Sequence, residues 1–151
     1  MALSQRIQDD IKAALLGGNR FEAGVLRNLK AAILNEEVAL GKRDEGLDDA
    51  TIEKIIAREV KKRHESIKLY EDNGRPELAE EEKQEVAVLS AYLPKQLSED
   101  EIREIAQNVI AEIGNATPQM MGQVIGGVKA KAGTAADGAT VARIVKELLH
   151  S

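Results

Sequence analysis

Chemistry in a protein begins with the few side chains that can hold a proton, a metal or a nucleophilic electron pair, and in this chain they are sparse. The histidines are His64, inside a helical pattern, and His150, at the extreme C-terminus. Ser66 and Ser98 are not accompanied by a His-Asp arrangement recognisable in sequence. Carboxylates cluster at Glu36-Glu37 and at Glu80-Glu81-Glu82, without partners of the metal-binding kind. Cysteine is absent, which removes thiol nucleophiles, disulfides and thiolate metal sites together. No Gly-Lys-Ser/Thr string follows a predicted strand, so there is no phosphate loop. The expectation is therefore no metal, no cofactor and no catalytic residue, and a chain that is not an enzyme by itself.

What remains is cationic. Lys61-Lys62-Arg63-His64 is the densest basic run, and at 100° per residue it must encircle its helix. Pairs such as Glu59–Arg63 and Lys61–Glu65 stand at neighbouring positions, so the plain reading is a solvated, salt-bridged helix. The sharper reading is an anion- or RNA-binding stripe. Arg58, Lys62, Arg63 and Tyr70 together offer an interaction surface on that helix. A second group, Lys129, Lys131, Arg143 and Lys146, makes the end of the chain locally basic on an acidic protein. It accompanies Gly122, Gly126 and Gly127, and glycine inside a helix costs about 1 kcal/mol relative to alanine. Either close helix packing or the close approach of a partner backbone must favour them. Asp137 can cap the last helix, placing a positive helix end near the lysines.

Helical periodicity supplies the elements that position these residues. Leu3, Ile7, Ile11, Ala14 and Leu15 give a first helix one apolar face. Asn19 is placed to cap a second, from about Arg20 to Leu40, with Phe21, Val25, Leu29, Ala32 and Ile33 along its stripe. Asp48 or Asp49 starts a long third helix through Ile52, Ile55, Ile56, Val60, Ile67 and Tyr70. Pro76 suits the first turn of a fourth, which buries Leu78, Val86 and Leu89 and exposes Glu80-Glu81-Glu82. Pro94 stops that helix near Ala91 or Tyr92, and Ser98 with Glu101 forms a capping box for the next. The fifth helix runs through Ile102 and Ile113 to Gly114. Thr117-Pro118 caps and opens a sixth, and Val141 to Leu149 form a seventh. No segment alternates with period two for long enough to demand a strand. An all-α protein is predicted, with four helices in residues 1–93 and three in a small tail domain, 94–151.

Composition narrows the function classes. Hydrophobic residues at 43% exclude disorder, and 31% charged residues with no long apolar run exclude a membrane protein. Phe21, Tyr70 and Tyr92 are the only aromatics, too few for a base-stacking sheet or OB-fold. Net charge is −5, so any RNA contact must use a local basic patch. Residues 1–93 hold fifteen Lys and Arg against nineteen Asp and Glu, and residues 94–151 hold six against seven. No basic segment followed by an apolar core stands at the N-terminus, and a cytoplasmic location is expected.

Several strings, taken in order, carry a family resemblance. They are Val25-Leu26-Arg27-Asn28-Leu29-Lys30-Ala31-Ala32-Ile33 with Asn35-Glu36, Arg63-His64-Glu65-Ser66-Ile67 with Tyr70, and Gly74-Arg75-Pro76-Glu77-Leu78. Tyr92-Leu93-Pro94-Lys95-Gln96-Leu97-Ser98, Met121-Gly122, and Asp137-Gly138 with Val141, Val145 and Lys146 follow. Together they resemble the GatB/YqeY family. It includes stand-alone YqeY-like proteins and the C-terminal tail region of the B subunit of aspartyl/glutamyl-tRNA amidotransferase.

The resemblance implies an all-helical N-terminal domain followed by a helical tail domain. In the amidotransferase that tail helps hold tRNA, while amide transfer happens elsewhere. The family label of carbon–nitrogen ligase with glutamine as amido donor finds no supporting residues in this chain. Where relatives commonly carry lysine or arginine before the Ala-Asp pair, this chain has Thr134 and Ala135. The resemblance implies a non-catalytic, tRNA- or RNA-associated accessory protein, and the locally basic tail offers Lys129, Lys131, Arg143 and Lys146 for that contact. The competing readings are a helical protein-interaction module, with a partner in the translation apparatus, or a subunit-like participant in glutamine-dependent ligation.

Overall fold

The computed structural model describes residues 2–150, and every regular element among them is helical. The helices are α1 (Leu3–Leu16), α2 (Arg20–Ala39), α3 (Asp49–Asp72), α4 (Pro76–Ser90), α5 (Glu99–Ile113), α6 (Met121–Ala132) and α7 (Gly138–Leu149). Short 3-10 turns, Pro118–Met120 and Gly133–Ala135, precede α6 and α7. The chain divides into two compact units between Leu93 and Pro94.

The first unit buries one face from each of α1 to α4. Leu3, Ile7 and Ile11 of α1 meet Val25, Leu26, Leu29 and Ile33 of α2, Ile52, Ile55 and Ile56 of α3, and Leu89 of α4. Two residues expected on these stripes are exposed: Leu15 at 46% and Phe21 at 40%. The cause is helical drift. At 100° per residue Leu15 lies about 80° from Ile7, and Phe21 about 80° from Leu29, each beyond its buried arc. Leu26, fully buried, stands about 60° from Leu29 on the inner side of the arc.

Side chains cap the amino ends of α1, α2 and α3. Asn19 accepts from the Glu22 amide at 3.1 Å, and Asp48 accepts from the Thr51 amide at 2.8 Å. Asp49 does something different: its carboxylate accepts the Leu3 amide, at 2.9 Å, and so caps α1 from the start of α3. Pro76 begins α4 as expected. That helix buries Ala79 rather than Leu78, and Glu82 is half-buried rather than on the open face.

The second unit has its own core, built from Ile102, Ala106 and Val109 of α5, Val124 and Val128 of α6, and Val141, Ile144 and Val145 of α7. Its capping box is complete: Ser98 Oγ accepts the Glu101 amide at 3.1 Å, and Glu101 accepts the Ser98 amide at 3.2 Å. Thr117 makes no capping bond, because the 3-10 turn rather than α6 follows it. Asp137 caps α7 by accepting from both the amide and the hydroxyl of Thr140. Ahead of α5, the Leu97 amide donates to Ala135 O at 2.8 Å and the Gln96 amide group to Thr134 O at 3.0 Å, which ties the entering strand of chain to this unit.

Candidate nucleic-acid interface

The four basic side chains of the second unit are not equivalent. Lys129 and Lys131 are two residues apart on α6, so they project about 160° from one another around the helix axis and cannot meet one phosphate row. Lys131 turns to α5 and pairs with Glu112 at 2.6 Å. Arg143 pairs with Glu99 and, at 3.2 Å, with Glu147. Glu147 also accepts from Arg103 at 3.1 Å, and the bonds from Arg103 and Arg143 hold its carboxyl below the usual carboxylate range. Lys129 and Lys146 are exposed and make no ion pair among the described residues. The Lys129 side chain lies along the start of α7, where a Cβ built on Gly138 would stand 3.7 Å from its Nζ.

The glycines of α6 separate in the same way. A Cβ on Gly127 would stand 2.8 Å from Val109 Cγ1, so this glycine lets α6 approach α5. Gly122 and Gly126 are exposed, and a Cβ on either would meet nothing within 4 Å. At 100° per residue Gly122, Gly126 and Lys129 fall within about 60° of one another, forming one open stripe with a free ammonium group at its end.

The basic run of α3 is largely neutralised within the first unit. Arg63 is the centre: its guanidinium stands 3.7 Å from Glu59 and 3.6 Å from Glu85 of α4, and donates to Glu59 O at 3.0 Å. Its side chain is only 14% exposed, and its Nε is buried without a partner. Lys62 pairs with Glu59 at 3.0 Å and Arg58 stands 4.0 Å from Glu36. Tyr70 is half-buried. Glu59–Arg63 forms as its spacing predicts, whereas Lys61–Glu65 does not. Burial, with Glu85 beside it, pushes the Glu82 carboxyl above its ordinary value despite the nearby Arg63.

One cluster escaped sequence reasoning. Tyr92 is buried and donates its hydroxyl to Asp10 at 2.5 Å, while Arg6 lies over its ring at 4.7 Å and donates to Ala91 O. Burial first, and the bond to Asp10 second, push the phenol well above its ordinary range. These groups edge an open cavity of about 620 Å³ floored by Ala13, Ala14, Ala87 and Ala91. The only signal in sequence was the Arg6–Asp10 spacing, which also occurs on any solvated helix.

For metals, Glu147 and His150 stand at the Glu-x-x-His spacing that bundle sites use, yet Glu147 is held by two arginines. Among the described residues no group of three or more potential ligands converges. No described helix is long and apolar enough to cross a membrane.

Comparison with known proteins places this sequence in a family. The chain is similar to fungal proteins named "Altered inheritance of mitochondria protein 41, mitochondrial". With that of Eremothecium gossypii it shares 32% identity over 58% of this chain and 46% of the relative. The figures for Lachancea thermotolerans are 25% over 76% and 61%, and for Clavispora lusitaniae 27% over 74% and 65%. The chain thus spans about half to two thirds of the length of these curated relatives. Their names overturn the expected cytoplasmic location, since each is designated mitochondrial. Composition could not have drawn that distinction, because aqueous compartments ask the same of a folded surface. The profile of one family, described as Yqey-like protein, matches residues 4–149, and the chain belongs to that family.

Proposed function

We propose that this chain is a non-catalytic, RNA-associated accessory protein whose second unit meets a tRNA backbone along the open stripe of α6. In this reading residues 1–93 form a four-helix domain and residues 94–151 a three-helix tail domain that carries the contact. The observation that supports it is the pairing of unneeded glycines with an unpaired cation. Among the described residues a Cβ on Gly122 or Gly126 would meet nothing within 4 Å, and Lys129 continues their stripe without an ion pair. Glycine lowers helix stability, so its presence on an open face fits a surface that another backbone approaches closely. A phosphate next to Lys129 would also stand near the amino end of α7, where the helix dipole favours it and the capping Asp137 carboxylate opposes it. Amide transfer is not part of the proposal: the chain brings no cysteine nucleophile.

The committed cations narrow the expected salt dependence. Lys131 and Arg143 would have to leave carboxylates to reach phosphates, so Lys129 and Lys146 carry the contact. Two phosphates at about 0.7 to 0.9 each give a log–log salt slope of about −1.4 to −1.8. Fluorescence anisotropy of labelled tRNA with the full chain over a salt series tests this. Lys129→Gln is expected to weaken binding and flatten the slope by about one contact, and Lys131→Gln to leave both unchanged. Absence of binding at low salt, or equal loss from the two substitutions, refutes the reading.

A further inference from the structure

Helix α2 carries an apolar, charged-edged face left open by the described residues. Leu34 is 43% exposed and Val38 60%, with Ala31 exposed one turn before Leu34 and Arg27 a further turn back. Beside this face a groove of about 360 Å³ runs between α1 and α2, with Ile7 and Gln8 on its far wall. Arg27, Lys30 and Glu37 also line the groove, and none of them forms an ion pair among the described residues.

The positions on this face are self-complementary. With Leu34 at the origin and 100° per residue, Lys30 and Glu37 fall at about −40° and −60°, on one edge. Ala31 and Val38 fall at about +60° and +40°, on the other edge, with Arg27 and Leu34 between. A two-fold axis through Leu34 that reverses the helix direction keeps each edge with its own kind. It brings Lys30 of one copy to within about 1.5 Å, along the axis, of Glu37 of the other, and Ala31 to Val38 likewise. Arg27 then faces the carboxyl end of the partner's α2, where a cation is favoured. By symmetry the Lys30–Glu37 ion pair and the Ala31–Val38 contact each occur twice.

We propose that α2 is a homodimerisation face, pairing antiparallel with a second copy of this chain about Leu34. The occupant is chosen by charge. One edge carries a cation and an anion at nearly equal distances on either side of the apolar centre, an arrangement that the same edge of a second copy neutralises. An unrelated acidic helix would satisfy Lys30 and leave Glu37 opposed to like charge.

The absence of cysteine makes the test direct. Leu34→Cys in the full chain should oxidise to a covalent dimer, because the two-fold places the new thiols opposite each other. Leu69→Cys, on the 63% exposed Leu69 of α3, should not do so under the same oxidant. By sedimentation equilibrium, Lys30→Glu and Glu37→Lys should each raise the dimer dissociation constant about tenfold or more, since each replaces two attractions by two repulsions. The double charge reversal should bring it back to within about threefold of the wild type, a recovery that no folding defect can imitate. A wild-type chain that stays monomeric up to about 1 mM overturns the proposal. So does equal cross-linking at residues 34 and 69, or a double variant no better than the singles.

Discussion

Adjacent glycines on α6 should respond to the same substitution with opposite sign. Gly126→Ala adds a methyl group to open space in a helix interior, so it should stabilise by about 0.5 to 1 kcal/mol through backbone entropy alone. Gly127→Ala gains the same about 1 kcal/mol of propensity but drives its Cβ to 2.8 Å from Val109 Cγ1. Carbon atoms in good contact lie about 3.5 Å apart or more, which leaves roughly 0.7 Å to be found. Val109 is β-branched and only 4% exposed, so it can neither change rotamer freely nor swing into solvent. Overpacking of this kind costs about 1 to 3 kcal/mol, so Gly127→Ala should come out between neutral and about 2 kcal/mol destabilising. Urea denaturation followed by far-UV circular dichroism measures both variants on one scale. In a Val109→Ala background the penalty of Gly127→Ala should disappear, with a coupling energy of about 1 kcal/mol or more. Equal stabilisation by the two alanines would refute the packing assignment. The same Gly126→Ala should weaken tRNA binding while it strengthens the fold; a variant that gains stability and keeps full affinity would remove the glycine stripe from the interface.

Glu82 supplies a test of opposite sign to the usual carboxylate. Its folded-state pKa is raised by burial and Glu85, so ionisation at neutral pH opposes folding. Glu82→Gln should raise Tm at pH 7 by about one or two degrees, given its partial exposure, and the gain should fade as pH falls through the raised folded value and be gone below about 4, where both states are protonated. For Asp48, Glu101 and Glu147 the sign reverses, because hydrogen bonds to Thr51, to Ser98, and to Arg103 and Arg143 depress their folded values. Their contribution is present above the ordinary carboxylate range and lost as pH falls through the depressed values, so thermal melts between about pH 5 and 2 should show a steep decline that Glu147→Gln makes shallower. Tyr92→Phe removes the hydroxyl from a partly solvated Asp10 while keeping the ring under Arg6, and should cost about 1 kcal/mol in denaturant titration.

Helix existence and the caps were legible because they depend on neighbours in sequence. Asn19, Asp48, Ser98 and Asp137 all cap the helices that their spacing indicates. Phase was less legible. A stripe written at intervals of three and four drifts around the helix, and its outermost members, Leu15 and Phe21, emerged into solvent. Among the candidate cations, residue type was visible and commitment was not. Whether Lys131 is free depends on Glu112 of α5, nineteen positions away, and whether Arg143 is free depends on Glu99, forty-four positions away. The glycines show the same division: Gly126 and Gly127 are identical in sequence terms, and only the position of Val109 distinguishes them.

Helix α1 depends on a residue far along the chain for the first bond of its own backbone. Ala2 offers no capping side chain, and the Leu3 amide is taken by Asp49, 46 positions downstream. That bond cannot exist until a long loop has closed, and closure entropy must be spent before the contact returns anything. The order of events follows from this. The turns begun by Asn19 and Asp48 have local caps and can nucleate early, whereas the amino end of α1 should be set only once α3 is in place. The first turn of α1 would be among the last parts of the first unit to become protected from hydrogen exchange during folding, and among the first to lose that protection when the native state opens.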